Sequence, residues 1–231
     1  MGFLTGEGSP FNRIFGFLGQ MTLLNLLWMV CSLPVVTAGP STTALFYCTL
    51  KLHKDKDIRV FHDFFKSFRQ SFGQSIMAWL LLLLAGGVIW MEKEALTSMP
   101  GSMGQIFGWV LGAAAIPLAL IALYIFPTIA AFENKLGRLI SNAFYFAVKK
   151  AGYVLAVAVV TILPMTMTLV DAKLFPVYLF IWLTVGFSLT AYGDSWFMWR
   201  LFRPYFKEDD REEENCCEQK KNNTETDSYV F

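Results

Sequence analysis

Five stretches of the chain, 14–36, 75–91, 104–131, 151–170 and 174–193, contain no acidic or basic side chain. An α-helix rises about 1.5 Å per residue and needs about 20 apolar residues to cross the hydrocarbon core of a bilayer. Four of the blocks reach that length, and Phe72 and Gly73 extend the shorter one at 75–91. Between and after them lie charged segments. The pattern predicts an all-α fold, a polytopic transmembrane helix bundle.

One stretch breaks the pattern. In CSLPVVTAGPSTTALFY, residues 31–47, Pro34, Gly39 and Pro40 interrupt an apolar run, and Ser41, Thr42 and Thr43 follow before it resumes. Irregular backbone at membrane depth survives only when it is buried in protein or lines a wet cavity. The six residues from Pro34 to Thr43 that make this break are therefore candidates for a membrane break or for the lining of a path. If 14–36 crosses the bilayer, a short second helix near 41–51 brings the chain back, giving six spans with both ends inside. One broken helix, giving five spans and an outer amino end, is the alternative. The bundle is thus expected to have five to six spans, near 14–36, 41–51, 75–91, 104–131, 151–170 and 174–199.

Charge orients these helices. Of the 19 lysines and arginines, all but Arg13, Lys93 and Lys173 fall in three segments: 51–74, 132–150 and the region from Arg200 onward. Cytoplasmic loops are enriched in Lys and Arg, so these segments are expected inside, with the C-terminus cytoplasmic. Trp90 and Trp109 then fall at outer ends, and Trp79, Trp196 and Trp199 at inner ends, as interfacial belts require.

Two of the inner segments are amphipathic. Near 58–72, Phe61, Phe64, Phe65, Phe68 and Phe72 recur at helical spacing, with Arg59, His62, Asp63, Lys66 and Arg69 opposite. Near 135–150, Leu136, Leu139, Ile140, Ala143, Phe144, Ala147 and Val148 form a similar stripe. Such helices bury the stripe among lipid headgroups or under a partner. Phe61, Phe64, Phe65, Phe68, Arg69, Glu133, Asn134 and Arg138 are the candidate docking or interfacial residues. Regions 41–91 and 104–170 also read as two copies of one span–interfacial helix–span unit. Gly104, Gly108 and Gly112, four residues apart, mark a helix face that could admit another helix, in the small-xxx-small manner.

Composition agrees with a membrane protein: 55% of the 231 residues are hydrophobic and only 16% are charged, where soluble domains average about 25% charged. The segment 1–206 forms the transmembrane domain. The tail 207–231, KEDDREEENCCEQKKNNTETDSYVF, has no apolar period and is expected to be a disordered cytoplasmic extension. Cys31 and Cys48 sit in or beside apolar segments, and the adjacent pair Cys216 and Cys217 has too few ligands for a zinc site.

Candidate chemistry is sparse. Asp194 lies near the inner end of the last span and is expected to pair with a basic neighbour. Gln20 and Asn25 in the first span are expected to bond across helices. There is no phosphate loop, no nucleophile elbow and no metal-ligand pair at i, i+4 spacing. We therefore expect no enzyme activity, catalytic residue, cofactor, metal or nucleic-acid partner.

The stretch SLPVVTAGPSTTALFY at 32–47, with FHDFFKSFRQSF at 61–72 and FPTIAAFENKL at 126–136, resembles the YesL-like family of bacterial integral membrane proteins, a domain of unknown function numbered 624. The resemblance covers most of 1–206, and the acidic tail lies outside it. It implies a multi-pass protein of the bacterial plasma membrane, encoded beside sugar-importer permeases and binding proteins and concerned with carbohydrate transport. On that basis the lipid bilayer and permease or ATPase subunits of a carbohydrate ABC importer are the expected partners. The expected role is a non-enzymatic accessory or regulatory subunit. A small transporter or channel with residues 32–43 lining its path is the alternative.

Overall fold

The computed structural model describes residues 10–55, 58–97, 102–132, 134–149, 151–170 and 173–203. Among them the secondary structure is helical. The helices are α1 (Pro10–Ser32), α2 (Ala38–Asp55), α3 (Val60–Gln70), α4 (Phe72–Thr97), α5 (Ser102–Ala131), α6 (Leu136–Lys149), α7 (Ala151–Val170) and α8 (Phe175–Ile181). A π-helical turn, Trp182–Gly186, carries α8 without a break into α9, residues 187–203.

Five of these helical stretches are long and apolar enough to cross a membrane: Ile14–Ser32, Phe72–Glu92, Phe107–Ala131, Gly152–Val170 and Phe175–Arg203. Their surfaces are largely bare, with Leu84, Trp90, Trp109, Leu155 and Val170 all more than two-thirds exposed. Apolar surface left open on that scale is surface meant for lipid. The chain is a multi-pass helical membrane protein.

The interruption after α1 is smaller than its sequence suggests. Only Leu33 and Pro34 lie outside regular helix before a single 3-10 turn, Val35–Thr37. Gly39 and Pro40, expected to extend the break, stand in the first turn of α2. A proline costs little there, because the first four N–H groups of a helix have no intrahelical acceptor. The helix expected near 41–51 accordingly extends over Ala38–Asp55. Eighteen residues at 1.5 Å each give about 27 Å, close to the thickness of the hydrocarbon core. α2 nevertheless stays outside the apolar set, because its composition is polar and ends in Lys51, His53, Lys54 and Asp55.

Its neighbours explain that polarity. α2 runs back antiparallel along α1, with the Oγ atoms of Ser32 and Ser41 2.5 Å apart and Trp28 donating from Nε1 to Thr42 Oγ1 at 3.2 Å. Thr43 bonds Ser75 of α4 at 2.9 Å, and Thr49 bonds Ser195 of α9 at 2.6 Å. Three different helices meet these hydroxyls, so α2 faces protein where its neighbours face lipid. Two apolar cores flank it. Met21, Leu24, Leu45, Cys48 and Phe64 build one, and Tyr124, Ile125, Leu139, Phe146 and Phe202 build the other. Phe46 of α2 packs against both.

The two units expected from the sequence keep the same internal order. α3 packs mainly on α2, the helix before it, and α6 mainly on α5. A single residue, Ser71 or Lys150, then separates each from the helix that follows.

Candidate functional site

The candidate site grows from the way α3 sits on α2. Val60, Asp63, Phe64 and Ser67 form the buried face of α3. This differs from the expected aromatic stripe: Phe64 is fully buried and Phe68 half-buried, but Phe61, Phe65 and Phe72 are exposed. The helix is rolled so that one flank of the stripe enters the core and the other points outward. An ion pair between a half-buried lysine and a buried carboxylate fixes the buried flank to α2. Lys51 Nζ lies 2.9 Å from Asp63 Oδ2, and the same oxygen accepts the backbone N–H of Arg59 at 3.1 Å. Burial pushes the Asp63 carboxyl up. The hydrogen bonds from Lys51, Arg59 and His62, with the Lys51 charge, outweigh it and hold the group below the ordinary carboxylate range.

α6 is arranged in the same manner. Leu139, Ala143, Phe146 and Ala147 are buried, while Phe144 and Val148 of the expected stripe are bare.

Between the two units an open cavity of about 470 Å³ is bounded by α2, α3 and the start of α4 on one side and by the end of α5 and α6 on the other. Tyr47, Ser67, Gln70 and Gln74 line the first wall; Asn134, Lys135 and Arg138 line the second. Gln74 Nε2 donates to the Asn134 carbonyl at 3.1 Å, tying the walls together. Tyr47 also borders a second cavity of about 210 Å³ that reaches Lys51, Lys54 and Trp199. Lys51 in turn borders a third, about 320 Å³, lined by Arg59, His62, Asp63 and Lys66. The three follow one another as a groove in series, Tyr47 being shared by the first two and Lys51 by the last two. Six cationic side chains line it, and the one carboxylate among its lining residues, Asp63, is already bonded to Lys51. The arrangement suits a polar or anionic segment of some length.

Of the residues singled out from the sequence, Asn134 and Arg138 line this groove. Arg69 is exposed in the last turn of α3, outside the groove lining. Glu133 lies outside the described residues, as does the tail with Cys216 and Cys217. Tyr47, Gln70, Gln74 and Lys135 were not anticipated. Ser67, Gln70, Ser71 and Gln74, at i, i+3, i+4 and i+7, form a polar helical stripe that could have revealed them.

The break residues occupy a different place. Pro34 is exposed at the tip of the α1–α2 hairpin, while Gly39, Pro40, Ser41 and Thr43 are buried. Beyond the contacts already given, Thr42 Oγ1 donates to the Ala38 carbonyl at 2.7 Å and Trp79 Nε1 donates to the Val35 carbonyl at 2.8 Å. Residues 34–43 line none of the three cavities.

A Cβ at Gly108 or Gly112 would meet nothing within 4 Å, so the close helix approach expected there is not made among the described residues. Gly104 lies in the first turn of α5. Close approach occurs at Gly39, where a Cβ would stand 2.7 Å from both the Ser75 carbonyl oxygen and Trp79 Cβ.

Two intramembrane polar residues complete the picture. Asn25, fully buried, donates from Nδ2 to the carbonyls of Trp182 at 3.0 Å and Leu183 at 2.8 Å, and its Oδ1 accepts the Ser188 N–H at 3.1 Å. It therefore bonds across helices as expected, and the groups it satisfies are those around the π-helical turn. Asp194 is also buried, but its partner is Thr161 Oγ1 at 2.9 Å rather than a cation. Gln20 is half-buried in α1.

The family model "Protein of unknown function, DUF624" matches residues 21–92, which contain α2, α3 and the ion pair that docks them. The chain is also similar to "Uncharacterized protein YesL" of Bacillus subtilis (strain 168), 24% identical over 151 residues, 64% of this chain and 71% of the relative. No solved structure matches. Together the two matches support assignment of this membrane protein to the YesL-like DUF624 family.

Proposed function

We propose that the chain is a non-enzymatic accessory or regulatory subunit of a carbohydrate importer, docking on its partner through the groove and the two amphipathic helices beside it. The observation that carries this is the outward roll of those helices. Phe61 and Phe65 on α3 and Phe144 and Val148 on α6 are bare, while a basic, polar groove runs along the same two helices. Apolar anchors beside a polar recess are the makings of a protein interface. The importer itself comes from the family resemblance, with the docking face on the cytoplasmic side where importers present their coupling elements.

A transport path through residues 32–43 has less support, because the hydroxyls of Ser41, Thr42 and Thr43 are engaged by α1, α4 and the backbone of α2. Affinity purification of the tagged chain from its own membranes in mild detergent tests the docking reading. A permease or ATPase subunit should co-purify, and Phe65→Glu should release it. Recovery of the bait alone, before and after cross-linking, would refute the accessory role.

A further inference from the structure

We propose that the groove is the docking site for this chain's own acidic tail. The inference goes beyond the importer reading and stands or falls separately from it. Three observations converge. First, charge: between Glu208 and Glu218 the tail carries seven carboxylates against one cation, Arg211. The groove offers Lys54, Arg59, Lys66, Lys135 and Arg138, with Lys51 committed to Asp63. Second, position: Trp199, one turn before the end of α9, lines the middle cavity, so the tail leaves the bundle at the groove's own edge. Third, length: four residues separate Arg203 from Glu208. An extended chain covers about 3.3 Å per residue, so the first carboxylates fall within roughly 17 Å of the helix end, and the rest of the tail can follow the groove.

A tether this short keeps the acidic run at about millimolar effective concentration, enough to hold it in place through contacts that are individually weak. The contacts are ionic and exposed, with Lys54, Arg59, Lys66, Lys135 and Arg138 all at the surface, so they are screened by salt. The tail then acts as a built-in competitor for any acidic partner of the same groove.

Cysteine trapping in the full-length chain tests this, because Cys216 and Cys217 lie inside the proposed ligand. Gln74→Cys and Lys54→Cys place a thiol in the groove, and Ser141→Cys on the exposed side of α6 is the control. Each variant is reconstituted in neutral lipid, oxidised with copper phenanthroline and mapped by peptide mass. Intrachain disulfides to Cys216 or Cys217 should form at least about fivefold faster at the groove positions than at the control, and 1 M salt or Lys135→Glu with Arg138→Glu should abolish that advantage. Protease sensitivity provides a reading without added cysteines: the tail should be cut faster in the Lys135→Glu, Arg138→Glu chain than in the wild type. Equal trapping at Ser141→Cys, disulfides between chains, or loss of the groove advantage when anionic lipid replaces neutral lipid would each overturn the proposal. The last two outcomes would give the groove to a second copy or to lipid headgroups.

Discussion

A methyl group added at Gly39 would collide with backbone as well as side chain, since the Ser75 carbonyl oxygen and Trp79 Cβ both stand 2.7 Å from its position. The α2 and α4 backbones must move apart to admit it, loosening the Thr43–Ser75 bond one turn away. Gly39→Ala should therefore destabilise the protein by about 1–3 kcal/mol, the usual cost of overpacking. Thermal unfolding in detergent should show the loss, with Gly112→Ala alongside it unchanged. Matching behaviour in the two variants would contradict the packing described for Gly39. Nothing local in the sequence distinguishes these glycines. Gly39 reads as a helix breaker because Pro40 follows it, and the regular spacing of Gly104, Gly108 and Gly112 reads as a seam. Whether a glycine turns the chain or admits a neighbour depends on residues 36 to 40 positions away, which periodicity does not encode. Asn25 was legible for the opposite reason: a carboxamide in an apolar helix has few options besides another helix.

At the scale of the element, the Lys51–Asp63 pair joins α3 to α2. The folded carboxyl is held below its ordinary value, so its contribution to stability is complete above the unfolded value of about 3.9 and is lost as pH falls through the folded one. Denaturation followed across pH should show a plateau above about pH 5 and a decline below about pH 4 from this pair. Lys51→Met removes the cation and leaves a buried carboxylate, at a cost of about 1–3 kcal/mol at neutral pH. The variant's acid decline should flatten, since protonation then relieves the buried charge. A variant with the wild-type acid profile would show that the pair does not anchor α3. The phenylalanine period located this helix, but the structure divides its stripe between a buried flank and an exposed one. In a water-soluble protein an apolar stripe marks the core. In a membrane protein it marks the core, lipid or a partner alike, and here Phe64 takes the first role while Phe61 and Phe65 keep the outward ones.

For the whole molecule, the order of helices and the place of each amphipathic helix between two longer ones were readable from uncharged blocks and their lengths. The place of α2 was not. Hydropathy scores a helix against lipid, and α2 meets α1, α3, α4, α5 and α9 instead. The lysine and arginine map predicts the orientation of the bundle. A C-terminal tag should survive protease added to intact cells and be removed once the membrane is opened. Loss of the tag from intact cells, with internal controls preserved, would invert the map and move the groove to the other side.

The central position of α2 bears on how the protein is made. Thr49 leaves the ribosome 146 residues ahead of Ser195, its partner on α9. Over most of synthesis, the flank of α2 that ends against α9 has no helix to cover it, and the α1–α2 hairpin is only provisionally seated. The final helix works as a latch: chains stalled or truncated before it expose the one segment of the bundle least suited to lipid, and quality control has a ready feature by which to find them.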